Sequence, residues 1–179
     1  MRLRRHPLLY PIILLTLLCS TSALAERLYQ VEAIVFRQSG ELISAGQLPP
    51  DNWAQNALPV DSSNSRSTAL NSEAAKLSPG NGYQVLLHQA WTQSVGDAAP
   101  SRIAINSDSE SFGHYPVQGT ISLKQGRYIE LDSDIWVNQF EAGVLSDSER
   151  IKQSIRLKNN ELTFLDNGSL GLLIRISAQ

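Results

Sequence analysis

The stretch "LYQVEAIVFR", residues 28–37, decides the fold. Its side chains alternate at first, with Tyr29, Val31, Ala33 and Val35 set against Gln30 and Glu32. Ile34 and Phe36 then make the second face apolar as well. Period-two alternation in β-branched and aromatic residues predicts a strand. A strand that is apolar on both faces belongs inside its sheet, because neither face is left for water.

Upstream of this strand the chain has a different character. Arg2, Arg4 and Arg5 precede an apolar run from Leu8 to Leu18, and Ala23-Leu24-Ala25 follows. Positive start, apolar centre and small residues flanking a cut after Ala25 are the signature of a secretory signal peptide. The run is shorter than the about 20 residues that a spanning helix needs. Cys19 follows Leu18, where lipid attachment expects a small side chain, so a lipoprotein is not expected. No second run of that length occurs, and no membrane span is expected in the mature chain.

The expected mature chain, residues 26–179, is one domain with a sizeable core. Removing Arg2, Arg4 and Arg5 lowers Lys+Arg from 15 to 12 against 17 acids, a net charge of −5. Removing Cys19 leaves no cysteine, which excludes disulfides and thiolate chemistry. An acidic chain without basic clusters argues against nucleic acid as a partner.

Downstream, residues 38–67 carry Pro49, Pro50 and Pro59 among many Ser, Asn and Asp, with Trp53 as the one large anchor. They predict a long surface loop. Leu70, Ala74 and Leu77 are spaced as on one face of a short helix, which "SPGNG" terminates. "YQVLLHQAW", 83–91, reads as a second strand with two apolar faces, and residues 102–105 as a weak one. Residues 117–137 read as a hairpin. Joining its apolar faces requires an odd loop, taken as Lys124-Gln125-Gly126, with Ile121 opposite Ile129 and Gly119 opposite Leu131. "RIKQSIRLK", 150–158, alternates again, Asn167-Gly168 marks a turn, and "LGLLIRI", 170–176, is the last strand. Together these predict an α+β domain: a mainly antiparallel sheet of six or seven strands with one main helix packed on it.

Chemistry-bearing patterns are few. Tyr128, Glu130, Asp132 and Asp134 share one strand face, their carboxylates roughly 6–7 Å apart. That is too far to share one metal ion, and no metal or cofactor is expected. Arg150, Lys152, Arg156 and Lys158 form a basic row that could pair with the acids across strands or hold a ligand's carboxylates. His88 and His114 lack metal-site spacing, and there is no G-x-S-x-G elbow, phosphate loop or dinucleotide fingerprint. Trp91 is a candidate stacking platform for sugars, or a core residue.

Three blocks, "YQVEAIVFRQ", "GYQVLLHQAW" and "SIRLKNNELTFLDNGSLGLLIRI", occur in this order and resemble the CsiV family of periplasmic peptidoglycan-binding proteins. The chain departs from the family at Thr163-Phe164 and Asn167-Gly168, where His-Tyr and His-Pro are usual. It also has Arg156 followed by Leu157 in place of an Arg pair. The resemblance implies a non-catalytic periplasmic protein that binds peptidoglycan and supports wall assembly and cell shape. The alternative is an adaptor that acts on wall synthases or their envelope activators without touching glycan. The residues expected to carry binding are Arg150, Lys152, Arg156 and Lys158, with Trp91 and His88.

Overall fold

The computed structural model describes residues 26–107 and 109–179. The signal peptide expected over residues 1–25, with its cut after Ala25, lies outside the described residues. Two five-stranded sheets face each other across one core. The first sheet contains β1 (Arg27–Arg37), β3 (Ser65–Arg66), β4 (Gln84–Val95), β9 (Leu162–Asn167) and β10 (Leu170–Ala178), in the order β3-β4-β1-β10-β9. The second contains β2 (Leu58–Pro59), β5 (Ser101–Asn106), β6 (Val117–Gln125), β7 (Ile129–Glu141) and β8 (Val144–Leu157), in the order β2-β5-β6-β7-β8. All pairs are antiparallel except β2 with β5.

β1 occupies the centre of the first sheet, as its doubly apolar sequence requires. Tyr29, Val31, Ala33 and Val35 point into the core between the sheets, where Trp91, Ile121, Leu131, Ile135, Ile151, Leu172 and Ile174 meet them. Ile34 and Phe36 point the other way and pack with Leu70, Ala74, Leu77, Tyr83, Val85 and Leu173. This second, smaller core explains why β1 needs two apolar faces.

The α+β expectation of one main helix on a single sheet is overturned. The only α-helix among the described residues, α1 (Asn71–Lys76), is six residues long and buries none of its own residues. Its apolar spacing serves a different end. Leu70 immediately before it, together with Ala74 and Leu77, drops the 67–83 segment onto the outer face of the first sheet, and Pro79 and left-handed Gly82 then turn the chain into β4. The fold is an antiparallel β-sandwich with a short helical cover. Among the described residues no helix is long and apolar enough to cross a membrane.

Two turns also differ from expectation. The β6–β7 loop is odd, as the facing argument demands, but it is Gly126-Arg127-Tyr128, with Gln125 opposite Ile129. Ile121 therefore faces Ser133 and Gly119 faces Ile135, and Gly126 is not left-handed. Two registers keep the same faces together. The observed one extends β6 to Gln125 and adds the pair Leu123 with Leu131. Gly119 fits it because a Cβ there would collide with the Asp134 carbonyl and Ile135 Cα. The last hairpin turns on Gly168-Ser169, one residue later than expected, with Gly168 at φ 64°.

Candidate functional site

The outward side chains of the second sheet form two cross-strand rows. One reads Arg102, Ser122, Asp132, Ser154, and the next reads Ala104, Thr120, Asp134, Lys152, each residue opposite its neighbour. Strand alternation places all of them on the face away from the core. At one end of this face the loop over 38–57 brings in Trp53. Its indole N–H donates to the Gly113 carbonyl (3.3 Å), and its ring meets Tyr115 edge-on at 6.0 Å. Trp53, Arg102, Thr120, Ser122, Asp132, Asp134, Lys152 and Ser154 enclose a groove of about 290 Å³.

The predicted basic row is real, and the acidic row does lie opposite it. Glu130 faces Arg156, and Asp134 faces Lys152. Arg150 holds Asp134 diagonally, from two residues along the strand, with Nε and Nη2 donating to the two carboxylate oxygens at 2.7 and 2.6 Å. The same guanidinium lies 4.2 Å over the ring of buried Trp136. Arg150 is thus committed to a fork pair and a cation–π stack. Arg156 and Lys152 are exposed and make no ion pair among the described residues, while Lys158 lies 3.2 Å from Glu161 on the surface.

The other two expected site residues sit elsewhere. Trp91 is fully buried between the sheets, and its N–H donates to Gln93 Oε1 at 2.6 Å. It is a core residue and offers no face to a ligand. His88 lies on the outer face of the first sheet, 2.8 Å from Glu32. Glu32 is 2% exposed and also accepts from the backbone N–H groups of Ala69 and Leu70 at 2.7–3.1 Å, with Arg175 at 3.5 Å. This cluster ties the 67–83 cover to the sheet, so His88 serves the fold.

A second buried carboxylate links the sheets at the far end of the core. Glu149 of β8 accepts from Ser169 in the β9–β10 turn, and Arg37 Nη2 of β1 stands 2.7 Å from its Oε1. Oε1 has no aligned hydrogen-bond donor, so this approach is Coulombic. The departures from the family pattern lie nearby or on the edge strand. Phe164 is half exposed and stacks on Phe36 at 6.0 Å, and Asn167 donates to the Arg150 carbonyl at 2.7 Å. Thr163 pairs with Ile174 on the edge strand.

Sequence reasoning missed Arg102, Thr120 and Ser122 as site residues. The alternation of β5 and β6 signals that they point outward, but nothing local says that Trp53 is folded over them. No group of acids and histidines among the described residues is placed to hold a metal ion.

A model of the family described as "Peptidoglycan-binding protein, CsiV" matches residues 51–178. No curated protein and no solved structure matches the chain. The family match spans more than half of the chain and takes in Trp53 and all of β5–β8, so this protein belongs to the CsiV family of peptidoglycan-binding proteins.

Proposed function

We propose that this chain is a non-catalytic, periplasmic peptidoglycan-binding protein that supports wall assembly and cell shape, and that it engages the wall through the outer face of the β5–β8 sheet. The observation that carries the reading is the family match over residues 51–178, a span that contains this whole polar face. Peptidoglycan offers carboxylates and sugar faces. Exposed Lys152 and Arg156 suit the first, and half-buried Trp53 suits the second. Export through the N-terminal segment fits a partner that exists only outside the inner membrane.

A second reading has an observation of its own. Leu48, Pro49, Phe112, His114, Val144 and Leu145 line an apolar concavity at the loop end of the sandwich, and Phe112 is 87% exposed there at φ 50°. A bulky side chain held at positive φ is strained backbone of the kind concentrated at functional sites. This end suits an adaptor that contacts wall synthases or their activators.

Co-sedimentation of the purified protein with isolated sacculi at low and high salt separates the two. Pelleting that weakens with salt supports direct, charge-assisted wall binding. Absence from the pellet at both salt concentrations favours the adaptor.

A further inference from the structure

We infer that the groove beneath Trp53 is a carboxylate site that takes one terminal residue of a peptide, with the carboxylate between Arg102 and Ser122. The inference rests on the wall-binding reading and names the part of the polymer that is held.

Asp134 is occupied by Arg150, and Asp132 accepts from Ser154 Oγ. The groove's two acids thus have protein donors. Its two cations have no carboxylate acceptor: neither Arg102 nor Lys152 makes an ion pair among the described residues. Arg102 lies directly across from Ser122, and Lys152 stands at the opposite flank in the adjacent row. With Asp134 offset by Arg150, the groove sets Arg102 and Lys152 against Asp132, whose hydroxyl donor is neutral, so the balance inside it is positive although Asp132 stands across from Ser122.

Ser122 supplies the second, independent observation. The residue is 3% exposed, lines the groove, and its Oγ is buried with no hydrogen-bond partner. A buried hydroxyl left unpaired costs about 1–3 kcal/mol, so natural proteins rarely leave one without a role. Beside an arginine without an acid, the missing partner is an acceptor. A carboxylate satisfies both: one oxygen takes the Ser122 O–H, and the guanidinium fork of Arg102 holds the pair of oxygens.

Size and shape narrow the ligand. A groove of about 290 Å³ lies at the lower limit of small-molecule pockets, about 300–1,000 Å³. It accommodates one residue and not a run of saccharide rings. Trp53, fixed by Gly113 and Tyr115, supplies an apolar wall for the small side chain of that residue. A stem peptide that ends in a free carboxylate has all three features.

The test uses the full chain, expressed with its own N-terminal segment and recovered from the envelope. Its binding to a short stem peptide with a free terminal carboxylate is compared by calorimetry with binding to the same peptide as its terminal amide. Peptide-free glycan strands form a third arm. The free acid should bind at least about tenfold more tightly than the amide, the worth of one charge-assisted hydrogen bond. Arg102→Gln and Ser122→Ala should each remove that preference, and both variants should keep the wild-type melting temperature within a few degrees. Lys152→Gln should lower affinity for the free acid by a smaller factor.

Equal binding of acid and amide, or tighter binding to peptide-free strands, overturns the assignment while sacculus co-sedimentation leaves wall binding standing. If the wild-type protein binds neither sacculi nor peptide, both readings fail together. Should Ser122→Ala unfold, Ser122→Thr keeps the hydroxyl and must keep the preference. A Thr variant that is folded yet indifferent to the carboxylate also overturns the site.

Discussion

The two outer faces of the sandwich solve opposite problems. On the first sheet the chain covers its own surface: Ile34 and Phe36 lie under Leu70, Leu77 and Tyr83, and buried Glu32 pins the cover by accepting from Ala69, Leu70 and His88. On the second sheet the outer face carries rows of charge in water, with Arg150 clamped to Asp134 and the Trp53 loop folded over one end. Both faces use carboxylates next to arginine or histidine. Burial decides what those carboxylates do. At 2% exposure, Glu32 is a structural acceptor whose loss strands several donors. The partly solvated Arg150–Asp134 pair on the other face contributes little to stability.

The largest expected effect lies beneath both faces. Trp91→Ala should destabilise by about 3–5 kcal/mol, because the indole is fully buried and its removal leaves Gln93 Oε1 without its donor. Thermal and denaturant unfolding measure this. A variant with the wild-type melting temperature and lost sacculus binding would return Trp91 to the site and break the division between core and face.

Glu32→Ala should follow, at about 3 kcal/mol, since it leaves the Ala69 and Leu70 N–H groups, the His88 ring and the Arg175 guanidinium without their partner. Hydrogen exchange should show the loss concentrated in residues 67–83, with the β5–β8 sheet still protected. Uniform loss of protection across both sheets would mean that the cover is not a separable layer.

The equivalent pair on the open face should be weaker. A double-mutant cycle on Arg150 and Asp134 should return about 0.5–1 kcal/mol of coupling, the range for partly solvated pairs, with added salt lowering it. Coupling of 3 kcal/mol would place this pair with Glu32 and erase the contrast. Arg156→Ala with Lys158→Ala should change stability by less than about 0.5 kcal/mol, as expected for exposed side chains. Their sacculus pelleting should fall if the basic row contributes to wall binding, and unchanged pelleting would confine recognition to the Trp53 groove.

The contrast between the faces also explains what could be read from the sequence. β1, β6 and β8 declare themselves through period-two alternation, and β4 and β10 through short runs apolar on both faces, signals that are local. The doubly apolar β1 even announces that its second face would be covered. The nature of the cover was not legible, because Leu70, Ala74 and Leu77 at helical spacing fit either a long packed helix or a short turn of helix inside a draped segment. That choice depends on the distance between β3 and β4. Register in the β6–β7 hairpin was legible only as parity, since a shift of two residues per strand keeps every face in place. The acid and base rows were legible because both lie on regular strands. The groove was not, because Trp53 reaches it from a loop 49 residues before Arg102 in sequence.

The smallest effect should appear on the open face alone. The Tyr115 hydroxyl donates to Glu110 at 2.9 Å, and its pKa is raised above the ordinary 10.0, first by that hydrogen bond and then by burial and the Glu110 charge. The protonated phenol is the form that the folded state favours. Any stability it contributes is therefore complete below about pH 10 and is lost as pH rises through the raised value. Tyr115 is also the edge against which Trp53 rests. Between pH 7 and 9 the Trp53 wall should hold steady, and indole fluorescence should report a loosening only at higher pH. Tyr115→Phe keeps the ring contact and lacks the titrating hydroxyl, so it should remove the step. A step that persists in Tyr115→Phe would assign the loosening to global unfolding, and hydrogen exchange at residues 67–83 would then change with it. A step that vanishes, with the covered face still protected, would show that the Trp53 loop opens independently of the opposite side of the sandwich.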